Sequence, residues 1–389
     1  MDEIDPLVYE HGLADCYNSL AGLYLITQRF NEAEQMYKSA LEIRKRLAES
    51  NPQAYEPYLA ANYNDLANLY LNTKRFDESK KMNKLAMDIY KRLAEDNLQA
   101  YESHLAASYN NLGVLLYCDT QCFTESEKMY KSALEIRKRL AEANPQAYEQ
   151  YLAANYNNLA NLYLNAKRFD ESEKMYKLAI DMYKRLAEAN PVAYEPALAQ
   201  NYHNLANLYN NTLHFTESEQ MYKVAIDIFK RLTETNPQAC ESDLAQSYHD
   251  LATLYFGVQR YDKVELMHKA ALVIHKRLAK DNPQIYKSYL AVDYINIAYT
   301  FIFSKQFVQA EQYSIKALKV DSTKYFANTN LALAYLLQGK YTDAEKIYIQ
   351  YKLEFKNDFL NDFEELATAG IIPTERLADV ERIKKMLNE

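Results

Sequence analysis

Apolar residues return along this chain at helical steps, and they come in paired runs. In the stretch after Asn51-Pro52, Leu59, Tyr63, Leu66, Ala67 and Tyr70 recur at three- and four-residue intervals. That spacing predicts a helix whose apolar stripe faces a core. Met82, Leu85, Ala86, Ile89 and Leu93 predict a second helix of the same kind. Pro57 belongs in a first turn, where a missing N–H is harmless, so the first helix is expected to begin near Tyr55 and to end near Asn72. The second is expected to open at Asp77 and to close at Asn97, with Pro following in most copies as a stop. Each pair is a helical hairpin.

The hairpins repeat. Tyr17, Tyr63, Tyr109, Tyr156, Tyr202, Tyr248 and Tyr294 stand 46, 46, 47, 46, 46 and 46 residues apart. A period between about 20 and 50 residues marks a solenoid, because one such unit cannot bury its apolar face alone and must stack on copies of itself. Eight hairpins are expected, at 9–50, 55–96, 101–143, 148–189, 194–235, 240–281, 286–320 and 324–356. The third holds one extra residue near Cys118 to Cys122, expected to lengthen its inter-helix turn. The domain organisation expected is thus an array over 1–356 followed by C-terminal capping helices over 357–389, the latter as segments 358–368 and 374–388 around Gly370 and Pro373. The amphipathic run 381–387 suits a cap, apolar toward the array and polar toward water. At the other end Asp5-Pro6 aligns with Asn51-Pro52, so the first hairpin is expected to be uncapped.

Asp77 and its equivalents Asn31, Thr124, Asp170, Thr216, Asp262 and Thr342 are side chains that accept from a free amide at a helix start. Three residues on stand Glu34, Glu127, Glu173, Glu219, Glu265 and Glu345, which predicts capping boxes everywhere except at Lys80.

The residue pattern resembles the tetratricopeptide repeat family. Its large aromatic, Leu-Gly or Leu-Ala pair, Tyr, and small–aromatic–small series are met in the fourth copy by Tyr156, Leu159-Ala160, Tyr163, Ser172, Tyr176 and Ala179. In the first copy they are Tyr17, Leu20-Ala21, Tyr24, Ala33, Tyr37 and Ala40. The aromatic is Tyr and never Trp, and the unit is longer than the usual one, which looks like the kinesin-light-chain-like branch; the eighth copy reverts to a 34-residue step from Ile297 to Leu331. The tail resembles that of bacterial members. The resemblance implies an all-α, right-handed superhelical solenoid, non-catalytic, that holds extended peptides or partner proteins in a concave groove lined by first helices.

Within those helices one polar stripe faces away from the core: Asn64, Asp65, Asn68 and Asn72; Asn110 and Asn111; Asn157, Asn158, Asn161 and Asn165; His203, Asn204, Asn207 and Asn211; His249 and Asp250. An Asn amide both donates and accepts, so it pairs with a peptide backbone without selecting its side chains. Mid-helix Asn is also unfavourable by roughly half a kcal/mol relative to Ala. These residues are the candidate groove; the competing reading is that a duplicated Asn pair is merely solvated. In the seventh copy Ile295, Tyr299, Ile302 and Phe303 are apolar where other copies are polar, either as an anchor pocket or because the C-terminal helices cover them.

Basic pairs close the second helices: Arg44-Lys45-Arg46, Lys91-Arg92, Arg137-Lys138-Arg139, Lys184-Arg185, Lys230-Arg231 and Lys276-Arg277. They complement the helix dipole, with Glu49, Glu95 and Glu142 one turn on, and would otherwise form a convex ridge for an acidic partner. A structural or regulatory subunit that self-associates through its first hairpin, or binds through that ridge, is the alternative function.

Composition narrows the rest. A net charge of −8 sets aside nucleic acid as the default partner, and no apolar run approaches the roughly 20 residues of a membrane helix. Four scattered cysteines make no disulfide framework, and a cytoplasmic location is expected. Cys118 and Cys122 lack completing ligands, and His268 with His275 has neither the HExxH spacing nor a carboxylate between. No cofactor, metal or catalytic set is expected.

Overall fold

The computed structural model describes residues 6–120 and 122–389. Among them stand seventeen α-helices, one 3-10 turn and no strand, and none of these helices is long and apolar enough to cross a membrane. The chain forms two compact units, 1–190 and 191–389. The first holds hairpins α1 (Pro6–Ile26) with α2 (Phe30–Ser50), α3 (Pro52–Asn72) with α4 (Phe76–Asp96), α5 (Leu98–Thr120) with α6 (Phe123–Ala143), and α7 (Pro145–Asn165) with α8 (Phe169–Ala189). The second holds α9 (Pro191–Asn211) with α10 (Phe215–Thr235), α11 (Pro237–Gly257) with α12 (Tyr261–Asp281), α13 (Pro283–Phe303) with α14 (Phe307–Val320), and α15 (Tyr325–Leu337) with α16 (Tyr341–Thr368). It closes with the 3-10 turn Thr374–Arg376 and α17 (Leu377–Asn388). The architecture is an all-α repeat solenoid. The expected boundary at Asp5 lies outside the described residues.

The joints differ from expectation in two ways. First helices begin at Pro52, not near Tyr55, so Pro57 lies inside α3. The reason is Asn51, which ends one helix and starts the next. Its N–H bonds Leu47 O at 2.9 Å while its side chain accepts from Ala54 N at 3.3 Å, and Pro52 takes the first helical position, where no N–H is needed. Asn97 and Asn144 repeat the device on Ala100 N and Ala147 N.

Second helices begin one residue ahead of the expected caps, at Phe30, Phe76, Phe123, Phe169, Phe215 and Tyr261. Their N-cap positions are Arg29, Arg75, Cys122, Arg168, His214 and Arg260, and none makes a side-chain cap bond. No capping box forms at Asp77 and its equivalents because the preceding turn is closed by its own backbone. Lys74 adopts φ +59°, and Arg75 N reaches back to Tyr70 O at 2.8 Å, a Schellman closure. Of the glutamates expected to complete the boxes, Glu34, Glu127 and Glu219 bond the next hairpin instead, while Glu265 and Glu345 bond Lys269 and Tyr341 of their own helices. Tyr70 Oη donates to Glu34 at 3.1 Å and Arg75 at 2.6 Å, while Lys38 pairs with Glu34 at 2.8 Å.

Small residues let the two helices of a hairpin touch. Ala67, Ala160 and Ala206 are fully buried, and Ser79, Ser172 and Ser218 each donate to the carbonyl of that alanine at 2.8 Å. In the third hairpin the small residue is Gly113, where a Cβ would stand 2.8 Å from the Tyr130 ring. Its first helix, α5, has 23 residues where the other long first helices have 21, so the added length goes into helix; Gln121 of the turn lies outside the described residues.

The residues expected at the end of the array, around 356, fall in a kinked helix. α16 continues from the eighth hairpin to Thr368 with non-helical backbone at Phe355. Its distal half buries Phe359, Phe363 and Leu366 with Ile302 and Phe303, and Tyr299 Oη donates to Glu365 at 2.8 Å. The apolar turn of the seventh hairpin is thus covered by the C-terminal helices.

Candidate functional site

The polar stripe of the first helices is in large part a ladder between hairpins. The residue just after the repeat's tyrosine in one hairpin sits against the residues one before and two after the tyrosine in the next, which are i and i+3 on one helix face. Asn18 accepts from Asn62 at 3.2 Å and donates to Asp65 at 3.0 Å. Asn64 donates to Ser108 at 3.3 Å, and Asn158 to Asn110 at 3.0 Å. In the second unit His203 lies 3.0 Å from both Ser247 Oγ and Asp250 Oδ2, and His249 Nε2 lies 2.7 Å from Asp293.

A second set is tied within its own hairpin, with Asn165 also reaching back to the third hairpin. Asn161 accepts from Tyr176 Oη at 2.6 Å, and Asn207 accepts from Tyr222 Oη. Asn165 donates to Asn161 O at 2.9 Å and to Tyr117 Oη, and Asn204 accepts from Gln200 at 3.0 Å. Asn68, Asn72, Asn165 and Asn211 are exposed, and His203 is buried. Asn64, Asn110, Asn111, Asn157, Asn158, Asn161, Asn204, Asn207, His249 and Asp250 are half-buried. The stripe therefore divides into rungs that join hairpins and outer amides that face water.

The basic ridge is likewise engaged. Arg92 and Arg231 pair with Glu56 and Glu195 of their own first helices at 2.6 and 2.7 Å, and Arg139 and Arg185 do the same with Glu102 and Glu149. Lys91, Lys230 and Lys276 lie over the rings of Tyr109, Tyr248 and Tyr294. The ridge cations thus hold first helices, a role that the dipole argument did not foresee.

Two arginines of these clusters turn inward. Arg44, 5% exposed, donates to Asn18, to Tyr58 O at 3.2 Å and to Asp15 Oδ1 at 2.8 Å. Arg137, 7% exposed, repeats two of those contacts with a single nitrogen, donating through Nη1 to Asn110 at 3.3 Å and Tyr151 O at 3.1 Å. Asp15 stands two residues before Tyr17; two before Tyr109 stands Ala107. The carboxylate is gone, and among the described residues none pairs with Arg137. In its place is a cavity of about 260 Å³ lined by Ser103, His104, Ala107, Arg137, Tyr148 and Tyr151 among others. Burial pushes the guanidinium down to about 10. Sequence reasoning took Arg137 for a ridge residue; aligning Arg44 and Asp15 with Arg137 and Ala107 on the 46-residue period was the signal that could have found it.

A second cluster was set aside in the sequence for want of a carboxylate. The next hairpin supplies it: His275 Nδ1 lies 2.8 Å from Asp293 Oδ2, and His249 joins from the preceding helix. Asp293 occupies the ladder position that Asn62 and Asn155 hold elsewhere.

Sequence profiles described as tetratricopeptide repeat match residues 13–53 and 59–97, and residues 104–185 and 151–231, more than half of the chain between them. The chain belongs to the tetratricopeptide repeat family, a fold that serves as a protein-interaction scaffold. It matches no curated protein sequence. Among solved structures it is similar to BtubC (BKLC) from P. vanneervenii, at 23% identity over 64% of this chain and 91% of that one, with a TM-score of 0.52. The apo form of RapI is similar over 97% of both chains at 14% identity and a TM-score of 0.55. Aspartyl phosphate phosphatase F from Bacillus subtilis is similar at 15% identity over 99% of this chain and 96% of that one, with a TM-score of 0.52. At these identities the likeness is one of fold.

Proposed function

We propose that the chain is a non-catalytic scaffold that binds an extended segment of a partner protein along its first-helix face, with an acidic side chain of that segment seated on Arg137. The observation that supports this reading is the buried guanidinium whose internal carboxylate, present in the first hairpin, is absent in the third. A buried charge without a counter-charge is costly, and an incoming carboxylate removes that cost while gaining charge-assisted hydrogen bonds. Asn110 beside it and the outer amides Asn68, Asn72 and Asn165 supply backbone pairing along the same unit. The test is selection of displayed random peptides against the wild type and Arg137→Gln. Enrichment of Asp or Glu at one fixed position, lost with Arg137→Gln, supports the reading; identical selections sink it.

A second reading rests on α1. Tyr9, Leu13, Cys16, Leu20 and Leu23 form one exposed stripe, at the positions that in α3 are Tyr55, Leu59, Asn62, Leu66 and Leu69. In α3, Leu59, Leu66 and Leu69 are buried where the preceding hairpin packs. Pairing of two copies through α1 would cover the stripe. Sedimentation equilibrium decides it: a dimer abolished by Leu20→Glu with Leu23→Glu supports self-association, and a monomer at all concentrations refutes it.

A further inference from the structure

We propose that His249, His275 and Asp293 form a binding site for a divalent transition-metal ion of the Zn²⁺ class, joining the sixth hairpin to the seventh. Three elements converge. His249 comes from α11, His275 from α12 and Asp293 from α13, and one ligand atom of each lies within 4.8 Å of the others. His249 Nε2 is 2.7 Å from Asp293 Oδ1 and His275 Nδ1 is 2.8 Å from Oδ2, so the carboxylate stands between two imidazoles whose rings are stacked 5.9 Å apart. Two imidazoles and a carboxylate are a borderline donor set, suited to Zn²⁺, Co²⁺ or Ni²⁺ rather than to Ca²⁺ or Mg²⁺.

The surroundings fit a bound cation. Asp293 has no solvent exposure, and among the described residues no Lys or Arg pairs with it. An ion would supply the missing positive charge. Beyond the two histidines opens a cavity of about 550 Å³, also lined by Asp250, Ser288, Tyr289 and Asn296, which gives water access to a fourth coordination position. Behind His249 its Nδ1 meets His268 Nδ1 at 3.2 Å. With the proton of His249 on Nδ1 and donated to His268, Nε2 is left bare toward the site, the outer-shell arrangement that orients a ligating imidazole. Tetrahedral bonds of about 2.0–2.2 Å set ligand atoms roughly 3.3 Å apart, so binding needs each imidazole to draw back from the carboxylate by about half an ångström.

The array supplies its own comparison. Where the sixth and seventh hairpins carry His249, His275 and Asp293, the second and third carry Asn64, Tyr90 and Ser108, and the fourth and fifth carry Asn157, Tyr183 and Asn201. Neutral residues suffice for stacking at those places. Only here does the repeat place His, His and Asp at all three, and the changed residues meet one another in space.

The test uses the full chain, freed of metal by chelation, and its variants reverted to the repeat's own residues: His249→Asn, His275→Tyr and Asp293→Asn, singly and together. Titration with Co²⁺, followed by visible absorption, and with Zn²⁺, followed by calorimetry, should show one equivalent bound by the wild type. The triple revertant should bind at least about a hundredfold more weakly. Zn²⁺ should raise the thermal midpoint of the wild type and leave that of the revertant unchanged. No uptake by the wild type at micromolar Zn²⁺, or equal stoichiometry in the revertant, overturns the site. Should the triple revertant not fold, His249→Asn, at a half-buried position whose equivalent is Asn in other hairpins, carries the same two outcomes.

Discussion

Arg168, at the N-cap of α8, donates to Glu127 of the preceding hairpin at 2.6 Å, while Tyr163 Oη donates to the same carboxylate at 2.9 Å. Burial works against the charge of Glu127, but the bonds from Arg168, Lys131 and Tyr163 outweigh it and bring the group down to about 2. A depressed carboxylate stabilises the fold above its unfolded value, near 4.5, and that contribution is lost as pH falls toward 2. Arg168 is 37% exposed, so the pair is expected to contribute only about 1 kcal/mol. A double-mutant cycle with Glu127→Gln and Arg168→Gln, by urea unfolding, should give a coupling near that value at pH 7 and a clearly smaller one at pH 2. A coupling unchanged at pH 2 would contradict the assignment.

Between the second and third hairpins both partners of this contact are replaced. Glu34 meets Arg75, Glu127 meets Arg168 and Glu219 meets Arg260, but the corresponding residues of the second and third hairpins are Lys80 and Cys122. Restoring both partners with Lys80→Glu and Cys122→Arg should stabilise the first unit by about 0.5–1 kcal/mol. Either change alone should be neutral or slightly unfavourable. If the double variant merely sums the singles, the two side chains do not meet.

Ala107→Asp should rebuild in the third hairpin what Asp15 does for Arg44. Pairing a buried guanidinium is expected to raise stability by about 1–3 kcal/mol. The same change should compete away any acidic peptide selected on Arg137. A variant that gains stability and still binds those peptides would separate the two statements and refute the second.

Why part of this was legible in sequence and part was not follows from what each residue contacts. The tyrosine beat, the buried Ala67 and Ala160, and the Asn–Pro joints repeat because stacking demands the same contacts in every copy, so periodicity exposed them. Helix starts were misplaced because Asp77 and Glu34 satisfy a local capping rule, whereas Arg75 N closes on Tyr70 O and Glu34 is claimed by Arg75, 41 residues away. Asn64 and Asn158 read as solvent-facing because a single helix shows only which face is not core; a neighbouring hairpin covers that face. Asp293 was beyond reach for the same reason, since its partners His249 and His275 lie on two other helices. Which outer amides touch a ligand is a property of the ligand, and neither the repeat nor its packing encodes it.

Glycine and left-handed backbone give opposed expectations. Lys167 holds φ +58° in the turn after α7, a conformation that glycine adopts without strain. Lys167→Gly should therefore stabilise by a few tenths to about 1 kcal/mol, the relief of strain exceeding the added chain entropy. Gly113→Ala should do the reverse despite the better helix propensity of alanine. The new Cβ would lie 2.8 Å from the ring of Tyr130, itself 3% exposed, and overpacking of that kind costs about 1–3 kcal/mol. Thermal midpoints moving in the same direction for both variants would refute the pair.

Asp362 sets a pH dependence of opposite sign to Glu127. It lies on α16 between the buried Phe359 and Phe363, and burial, reinforced by the charges of Glu365 and Asp358, pushes its carboxyl up to about 7 from an ordinary 3.8. A raised carboxyl binds its proton more tightly in the folded chain, so the fold loses stability as pH climbs from about 4 through 7. The loss is expected to be roughly 1–2 kcal/mol. Asp362→Asn keeps the shape and removes the charge. It should match the wild type near pH 4 and exceed it by that amount at pH 8, in the unfolding transition of the C-terminal helices followed by hydrogen exchange at Phe359 and Phe363. Parallel stability profiles for the two proteins between pH 4 and 8 would show that Asp362 is ionised throughout and that the acidic group on α16 does not resist the packing of the cap.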